Sequence, residues 1–524
     1  MRCFAICVFV FLMSLNGLAQ FSYLDTIYKL NNYTSEVSYG SAKLSDNKFI
    51  IVGYAENTHY EINIFCITTA GDTLWNQQYN VDSLGEPFVV RTVLDEQKNI
   101  LVAGYAYINN SNEVRALLLK TDSSGNLIWL RTYRSDSTVF TEYSGQVFGY
   151  IPIATFNNQY LLLCINGRDT DVANFMAIIT DTMGNELTRW RYVNPYYEWP
   201  KFAIQTSDSG YLFGGQSNRL NPDTQMYFWT MYIKKVDQQG VLIWDTSIQA
   251  LTTGDFEYTG DATAQDAIEV ADGYVIAGER SDSSNFTYPN AERGWDKCWY
   301  GKLDKTDGHL IWEHYIGGDS LLDYAHFYGI TQTADGDYAL CGGYNYANNT
   351  RQHNLLIKTD ANGDTLWSYI LKDHSDSIQG TDDLELHRIY EIAGGYFATG
   401  FRIPVVALGD EFPYVLSVDT NGCPTYNCHN TIDTIPKDTI INTTFLIYPN
   451  PANTLLNILF TTPYNAGNFT FKIYDVSGRL LQTDEHFTPN LPYTVNVSNF
   501  ANAIYFIEIL NGKDRVGRGK FVKQ

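Results

Sequence analysis

Positive charge is scarce in this sequence. Its 524 residues include 35 Lys and Arg against 58 Asp and Glu, a formal net charge of −23. A nucleic-acid groove or an anionic membrane surface needs basic patches that displace counterions, so this balance argues against both as the main partner. Charged residues are only 18% of the chain and apolar residues are 44%, which argues against a disordered chain.

Long apolar runs are also missing after the first residues. The N-terminal segment contains Arg2, an apolar stretch from Cys3 to Leu15, and small residues at Gly17 and Ala19. This order is typical of a secretory signal peptide that is cut after Ala19. No later run approaches the roughly 20 apolar residues of a membrane-spanning helix. We therefore predict an exported chain without a transmembrane segment.

Cysteine is scarce, and two of the eight, Cys3 and Cys7, lie in the predicted signal peptide. Cys423 and Cys428 could close a small disulfide loop in an oxidising compartment, a possibility that the spacing leaves open. Four more are isolated and are expected to be small buried side chains: Cys66, Cys164, Cys298 and Cys341. No Cys/His spacing or HExxH motif indicates a metal, so neither a metal nor a cofactor is predicted. The histidines form no close pair in sequence and are interpreted as surface or packing residues.

One unit recurs seven times between residues 20 and 423. Each unit has an alternating strand, then a turn that ends in Gly, spaced 54 to 68 residues apart: Gly71, Gly125, Gly184, Gly240, Gly308, Gly363 and Gly422. A Trp follows every turn except the last: Trp75, Trp129, Trp190, Trp244, Trp312 and Trp367. A second recurring strand ends in a small residue, as in Ile100 to Gly104 and Tyr396 to Gly400.

Seven units of about four short strands predict a β-propeller, with a linear solenoid as the alternative. The seventh unit lacks its outer strand, whereas Tyr23 to Leu30, ahead of the first unit, is similar to the outer strands elsewhere. An N-terminal strand that completes the last blade would close the ring and remove exposed edges, which favours the propeller.

The Asp-x-x-Gly-x-x-x-Trp pattern, clearest at Asp304 to Trp312, resembles the tryptophan-docking repeat of quinoprotein-like and WD40-like propellers. The resemblance implies that the six repeated Trp side chains pack between neighbouring blades. Asp360 to Asp364 also has oxygen ligands at alternate positions, as in a calcium loop. Because Thr365 and Leu371 stand where an EF-hand needs Gly and Glu, we interpret it as a hairpin turn.

The connections differ between the two faces of the predicted propeller. Turns within a unit are tight on one face, whereas the connections on the other face are long and irregular, where function usually resides. The candidate ligand-binding residues on that face are aromatic and acidic: Tyr197, Trp199, Trp229, Trp295, Asp261 and Asp382. Aromatic planes beside carboxylates suit a glycan or a peptide. The alternative is that each residue is structural or solvating.

After Cys428 a linker leads into a separate module with three landmarks, Tyr-Pro-Asn-Pro from Tyr448, Tyr474 to Leu481, and Ala503 to Ile509. The module closely resembles the type A C-terminal sorting domain of the type IX secretion system of Bacteroidetes. Ala503 stands where that family usually has Gly. The residues that carry the resemblance are Tyr448, Pro449, Asn450, Pro451, Tyr474, Asp475, Gly478, Arg479 and Tyr505. It implies recognition by the type IX translocon through residues 444–524.

The sequence thus predicts an all-β protein with four parts. These are a signal peptide (1–19), a seven-bladed β-propeller (20–428), a linker (429–443) and a small Ig-like β-sandwich sorting domain (444–524). We expect a secreted or cell-surface protein that binds a glycan or peptide on its loop-rich face and acts in adhesion rather than catalysis. The alternatives are an extracellular polysaccharide hydrolase or lyase that uses loop carboxylates, and a scaffold without a ligand.

Overall fold

Strands, and no helix, make up the regular structure of the residues described here. A computed structural model describes residues 24–28, 35–56, 60–81, 85–108, 113–134, 147–166, 174–192, 197–220, 227–249, 262–282, 295–316, 322–346, 352–371, 383–403, 411–424, 444–448, 451–461, 469–475, 479–484, 487–488, 492–511 and 514–524. In these ranges the chain forms two sets of antiparallel sheets, one before residue 424 and one after residue 443.

The first set begins with strand β1 (Leu24–Ile27) and continues as four-stranded units whose strands pair in chain order. The first unit contains β2 (Ser35–Ser45), β3 (Lys48–Glu56), β4 (Tyr60–Thr68) and β5 (Thr73–Asn80). The second contains β6 (Glu86–Leu94), β7 (Ile100–Tyr107), β8 (Val114–Thr121) and β9 (Leu127–Tyr133). The third contains β10 (Val147–Ala154), β11 (Tyr160–Asn166), β12 (Asn174–Thr180) and β13 (Glu186–Tyr192).

Three further units follow the same order. The fourth contains β14 (Tyr197–Gln205), β15 (Tyr211–Leu220), β16 (Tyr227–Val236) and β17 (Leu242–Ile248). The fifth contains β18 (Ala262–Val270), β19 (Gly273–Asp282), β20 (Trp295–Leu303) and β21 (Leu310–Ile316). The sixth contains β22 (Leu322–Gln332), β23 (Tyr338–Tyr346), β24 (Gln352–Thr359) and β25 (Thr365–Leu371). A single parallel bridge, Asp296 to Tyr324, links the fifth and sixth units.

The seventh unit is completed by the N-terminal strand. It contains β26 (Asp383–Ile392), β27 (Gly395–Ile403) and β28 (Phe412–Asp419), and β1 pairs antiparallel with β28 as its fourth strand. The first strands of successive units contact one another in a closed series, and β2 contacts β26. The chain is therefore a β-propeller closed by its own N-terminal strand.

Apolar clusters between neighbouring units hold this ring together. A strand that is buried on both faces has consecutive apolar residues. In β8, for example, Leu117 to Leu119 are fully buried. Leu117 and Leu119 face the first unit, whereas Leu118 faces the third, because successive side chains point to opposite faces of a strand. An equivalent cluster joins the seventh unit to the first, with Phe49 and Phe397 stacked at 4.1 Å.

At the outer rim each repeated Trp lies against the turn Gly of the next unit. The indole Nε1 of Trp129 donates a hydrogen bond to the carbonyl oxygen of Thr182 at 3.0 Å, and a Cβ on Gly184 would lie within 3.1 Å of the ring. Gly184 has φ +76°, a conformation that side chains disfavour. The turn glycine is therefore needed both for its φ and for the close approach of the Trp.

The ring closes with the same contacts although β1 has no Trp. Leu24 lies against Gly71 of the first unit where the other units place a Trp. The hydroxyl of Tyr28 donates to the carbonyl oxygen of Gly71 at 2.9 Å, just as that of Tyr133 donates to Gly184 at 2.9 Å. The N-terminal strand thus repeats the rim contact of the internal outer strands.

The cysteines divide as the sequence suggested. The four isolated ones are free and buried: Cys66, Cys164, Cys298 and Cys341. Cys423 is disulfide-bonded, and its predicted partner Cys428 lies outside the described residues. Burial raises the pKa of Cys298 and Cys341 well above its usual range, so both thiols stay protonated at neutral pH.

The C-terminal residues form a separate two-sheet module. One sheet has the order β29 (Thr444–Tyr448), β30 (Leu455–Thr461) and β33 (Pro492–Asn496). The other has the order β32 (Leu480–Asp484), β31 (Phe469–Asp475), β34 (Ile504–Asn511) and β35 (Asp514–Val522). Alternate residues from both sheets, such as Ile458 and Ile507, are fully buried in one core. The module is therefore a small β-sandwich.

Candidate functional site

A β-bulge interrupts the innermost strand of every propeller unit. The register of the first and second strands shifts by one residue in each unit, for example between Pro200 and Phe202 of β14 and between Leu386 and Arg388 of β26. The equivalent shifts follow Ser38, Val89, Gly149, Ala264 and Phe327. A bulge leaves one residue unpaired and re-aims its side chain. The seven bulges therefore bring one extra residue from each unit to the axis of the propeller.

A glycine on the second strand accommodates most of these bulges. A Cβ on Gly342 would overlap the carbonyl oxygen of His326, and a Cβ on Gly400 would overlap that of Glu385. Gly104, Gly215 and Gly278 meet a bulge carbonyl in the same way. Four of them, Gly104, Gly215, Gly278 and Gly400, end the second recurring strand in the sequence, whereas Gly342 lies one residue before the predicted end at Gly343. The pattern was visible there, but its connection to the axis was not.

Six of the bulge residues line one cavity of about 170 Å³, which we call the axial cavity. They are Val90, Tyr150, Lys201, Gln265, Tyr328 and His387, and the lining also includes Arg91, Ile151, Trp199 and Pro200. Sequence reasoning predicted only Trp199 among these residues. The bulge residues come from different units and, except for Tyr150 and Tyr328, differ in residue type, so no motif identified them.

The structure brings together three of the six predicted ligand-binding residues. The ring of Tyr197 lies 6.4 Å from that of Trp199 and 6.0 Å from that of Trp229, both edge-on. Trp199 also meets Tyr150 at 6.1 Å, which joins this aromatic group to the axial cavity. Trp295 begins β20, opposite Asp282, and only its backbone is described. Asp261 and Asp382 lie outside the described residues.

Two arginines stabilise the wall of the axial cavity. The Nη2 atom of Arg91 donates to the backbone carbonyl oxygens of Lys201 at 2.9 Å and Gln265 at 3.3 Å, so it ties three units together. Arg388 forms a close ion pair with Asp266, which also accepts a hydrogen bond from the backbone of Ile330. Charge-assisted bonds of this kind fix the geometry of the wall.

Histidine and glutamate side chains from three units meet beside the cavity. His326 is fully buried, with Nδ1 3.7 Å from an oxygen of Glu279 and Nε2 3.7 Å from Oε1 of Glu385. The same Glu385 oxygen lies 3.3 Å from Nε2 of His387. The sequence interpretation of the histidines as surface or packing residues did not anticipate that the fold places two of them beside one carboxylate. Packing of β22 against β26 decides this and leaves no sequence signal.

Burial and charge separate the pKa values in this cluster. Burial lowers the pKa of His326 to about 4 although Glu385 opposes the change, so the imidazole is neutral at pH 7. Burial raises the pKa of Glu385, but its interactions with His387, His326 and Tyr328 together bring it below the usual range. Burial and the charge of Glu385 raise the pKa of Glu411. Glu385 thus has a lowered pKa and Glu411 a raised one.

The tight turns at the rim use their carboxylates internally. Oδ1 of Asp360 accepts from the backbone N–H groups of Asn362 at 2.8 Å and Asp364 at 2.9 Å, so this segment is a hairpin turn as interpreted from the sequence. In the fifth unit the ligand atoms of Asp304, Asp307 and His309 all lie within 4.8 Å of one another. There His309 Nδ1 lies 2.6 Å from Asp307, and Asp304 accepts from the backbone of Thr306 at 2.7 Å.

The landmark residues of the C-terminal module stabilise its hairpins. Asp475 accepts from the backbone N–H of Arg479 at 3.1 Å and pairs with its guanidinium at 3.0 Å, which closes the turn between β31 and β32. The hydroxyl of Tyr474 donates to Glu508 at 2.9 Å, and buried Tyr505 donates to Ala501 at 2.8 Å. Tyr448 pairs with Asn457, and Pro451 is exposed. Pro449, Asn450 and Gly478 lie outside the described residues.

The fold and these landmarks define an exported β-propeller with a C-terminal sorting module. Residues 446–524 match the family described as the secretion system C-terminal sorting domain. Such a domain marks proteins that the type IX system exports to the cell surface or the extracellular space. The resemblance predicted from the sequence is therefore confirmed, together with the expected route of export.

Solved structures similar to this chain include a lectin, a β-propeller domain and a pair of extracellular domains. The BP39L lectin from Burkholderia pseudomallei is 9% identical, with 74% of this chain and 97% of the lectin covered and a TM-score of 0.44. The β-propeller domain of the Trilobed protease from Pyrococcus furiosus is 8% identical, with 74% and 99% covered and a TM-score of 0.39. Drosophila Semaphorin 1a, extracellular domains 1-2, is 9% identical, with 78% and 89% covered and a TM-score of 0.41. These likenesses are too distant to indicate a function.

No curated protein matches the chain. In the described ranges, no helix has the length and apolar character that a membrane crossing requires.

Proposed function

We propose that this chain is an exported binding protein whose propeller holds a glycan or peptide ligand at the axial cavity. The observation that carries the proposal is the convergence of six bulge side chains and Trp199 on one cavity at the axis. Concave sites with aromatic walls and a few polar groups are where small ligands bind. The predicted aromatic residues Tyr197 and Trp229 extend this wall, and adhesion to a surface ligand is the role we assign to it.

The division of the chain follows from the same proposal. Residues 1–19 would be removed on export, 20–428 would form the binding propeller, 429–443 would form the linker, and 444–524 would be the sorting domain that the type IX translocon recognises. Deleting residues 444–524 should leave the protein in the periplasm, as cell fractionation would measure. Normal surface display of that truncated chain would refute the role of residues 444–524 in export.

The binding role is tested with the full-length chain on arrays of glycans and peptides. We expect a saturable ligand whose affinity falls about tenfold or more in Trp199→Ala, because the aromatic wall is lost. Leu127→Ala, at an exposed rim position, is the matched control and should bind normally. A broad panel without any ligand would favour the scaffold without a ligand.

A second candidate function is hydrolysis of a polysaccharide. It is supported by Glu385 and Glu411, whose environments push their pKa values in opposite directions, as in acid and base pairs of glycosidases. Product release that disappears in Glu411→Gln, with ligand binding retained, would favour this candidate. Binding without turnover would leave the protein a non-enzymatic binder.

A further inference from the structure

The axial cavity is basic inside an acidic protein. The chain has 58 acidic and 35 basic residues, yet the ten residues that line the cavity include Arg91, Lys201 and His387 and no carboxylate. Three acids lie behind the lining: Asp266 acts on Arg91, and Glu279 and Glu385 act on Lys201. The cavity therefore presents cationic groups to whatever enters it.

The three basic side chains of the cavity differ in the groups that they already contact. Arg91 is held by the carbonyl oxygens of Lys201 and Gln265, and His387 by Glu385. The Nζ atom of Lys201 lies over the ring of Trp199, 4.6 Å from its centroid, and the charges of Glu279 and Glu385 also act on it. Burial removes water from this ammonium, and a carboxylate of a ligand that enters the cavity would supply the charge-assisted hydrogen bond that water no longer provides.

The rest of the lining is aromatic. Tyr150, Trp199 and Tyr328 supply flat apolar surfaces beside Lys201. The volume of about 170 Å³ is below the roughly 300–1,000 Å³ of pockets for larger ligands, so it suits one ring or the end of a chain. A sugar ring has apolar faces and polar edges, which matches aromatic planes next to a single charged donor.

We propose that the axial cavity binds a carboxylate-bearing sugar, a uronic acid residue of a glycan, with Lys201 as the group that selects the carboxylate. This inference rests on the proposed binding function and narrows its ligand. One carboxylate meets Lys201, while the net negative charge of the chain disfavours long, densely charged polyanions.

The test uses the full-length chain and short oligogalacturonides. Their methyl esters, which have a similar shape but no carboxylate charge, are the control ligands. Isothermal titration calorimetry should show that the acid binds about tenfold or more tightly than the ester. Lys201→Met keeps an apolar stem over Trp199 and should lose that preference, whereas Lys201→Arg should retain it. Lys48→Met, at an exposed turn on the tight-turn face, makes the same change in net charge and should have no effect.

The outcomes separate this inference from the proposed function. Equal binding of acid and ester by the unmodified chain would overturn the inference without any variant, and so would an acid preference that survives in Lys201→Met. Binding of acidic peptides but not of uronic acids would overturn the choice of a sugar. A chain that binds neither glycans nor peptides of any charge would instead refute the proposed function.

Discussion

The rim and the axis of the propeller use the same repeat in opposite ways. At the rim the residue types recur, so Trp129 and Trp244 both donate to the turn of the next unit, at 3.0 and 3.1 Å. At the axis the backbone bulge recurs while the side chain changes, from Val90 to Lys201 to His387. The rim residues therefore stabilise the contacts between units, whereas the axial residues differ from unit to unit and can form a specific site.

Removing a rim Trp should cause the largest loss of stability. Trp129 is 4% exposed and packs against Gly184, so Trp129→Ala should lower the free energy of unfolding by about 3–5 kcal/mol. Leu127, on the same strand, is 53% exposed, and Leu127→Ala should change it by about 0.5 kcal/mol or less. Chemical denaturation followed by circular dichroism measures both. Equal changes in the free energy of unfolding would show that the rim Trp does not stabilise the contact between units.

The axial cluster should make stability depend on pH in a way that the rim does not. The pKa of His326 is about 4 in the folded chain against 6.5 for an unperturbed histidine, so the unfolded chain binds more protons between these values. His326 should therefore contribute a fall in stability of up to about 3 kcal/mol as the pH drops from about 6.5 to about 4. Asp266, whose pKa burial raises to about 6, opposes this fall because the folded chain binds its proton more tightly than the unfolded chain does.

Replacing His326 should flatten this dependence. In His326→Gln the stability lost between pH 6.5 and 4 should be smaller than in the unmodified chain, because the imidazole that binds its proton more readily in the unfolded chain is gone. Asp266 and Glu411, whose pKa values burial raises, should keep their opposing contributions. The control His309→Gln removes an exposed histidine whose pKa is raised by its hydrogen bond to Asp307, so it should not flatten the decline. An unchanged slope in His326→Gln would contradict the role of its buried imidazole.

The glycines opposite the bulges should be sensitive where their neighbours are not. A Cβ on Gly342 would overlap the backbone of His326, whereas on Gly343 the nearest atom is His326 Nε2 at 3.3 Å. Gly342→Ala should therefore cost about 1–3 kcal/mol and weaken ligand binding, because the bulge must shift. Gly343→Ala should cost less in thermal or chemical unfolding. Equal losses of stability in the two variants would show that the bulge does not require glycine at Gly342.

The smallest expected effect concerns the closure of the ring. Tyr28→Phe and Tyr133→Phe each remove one hydroxyl that donates to a turn carbonyl at 2.9 Å. Both should lose about 1 kcal/mol in denaturant unfolding, since the same bond is broken. A much larger loss in Tyr28→Phe would mean that the closing strand depends on this bond more than the internal strands do.

The rim was readable from the sequence because all seven turns there end in Gly and six outer strands carry a Trp. A turn with positive φ requires Gly, and the ring that packs on it requires a large flat side chain, so spacing alone revealed units and order. Closure by β1 was predicted from the likeness of residues 23–30 to the outer strands, and β1 pairs with β28. The histidine cluster was missed because His326 and Glu385 meet only through packing between units.

The sequence by itself determined the repeat, the closed ring and the sorting module, because local turn chemistry and strand alternation leave each of these as a recurring or recognisable pattern. Only the tertiary structure decided which side chains share the axial cavity. Those residues lie about one unit apart and differ in type, from Tyr150 to Lys201 to Gln265. They converge because each first strand bulges at the same height beside the axis. The glycines opposite the bulges recur in the sequence because the bulged backbone requires them, whereas the cavity residues show no recurring pattern.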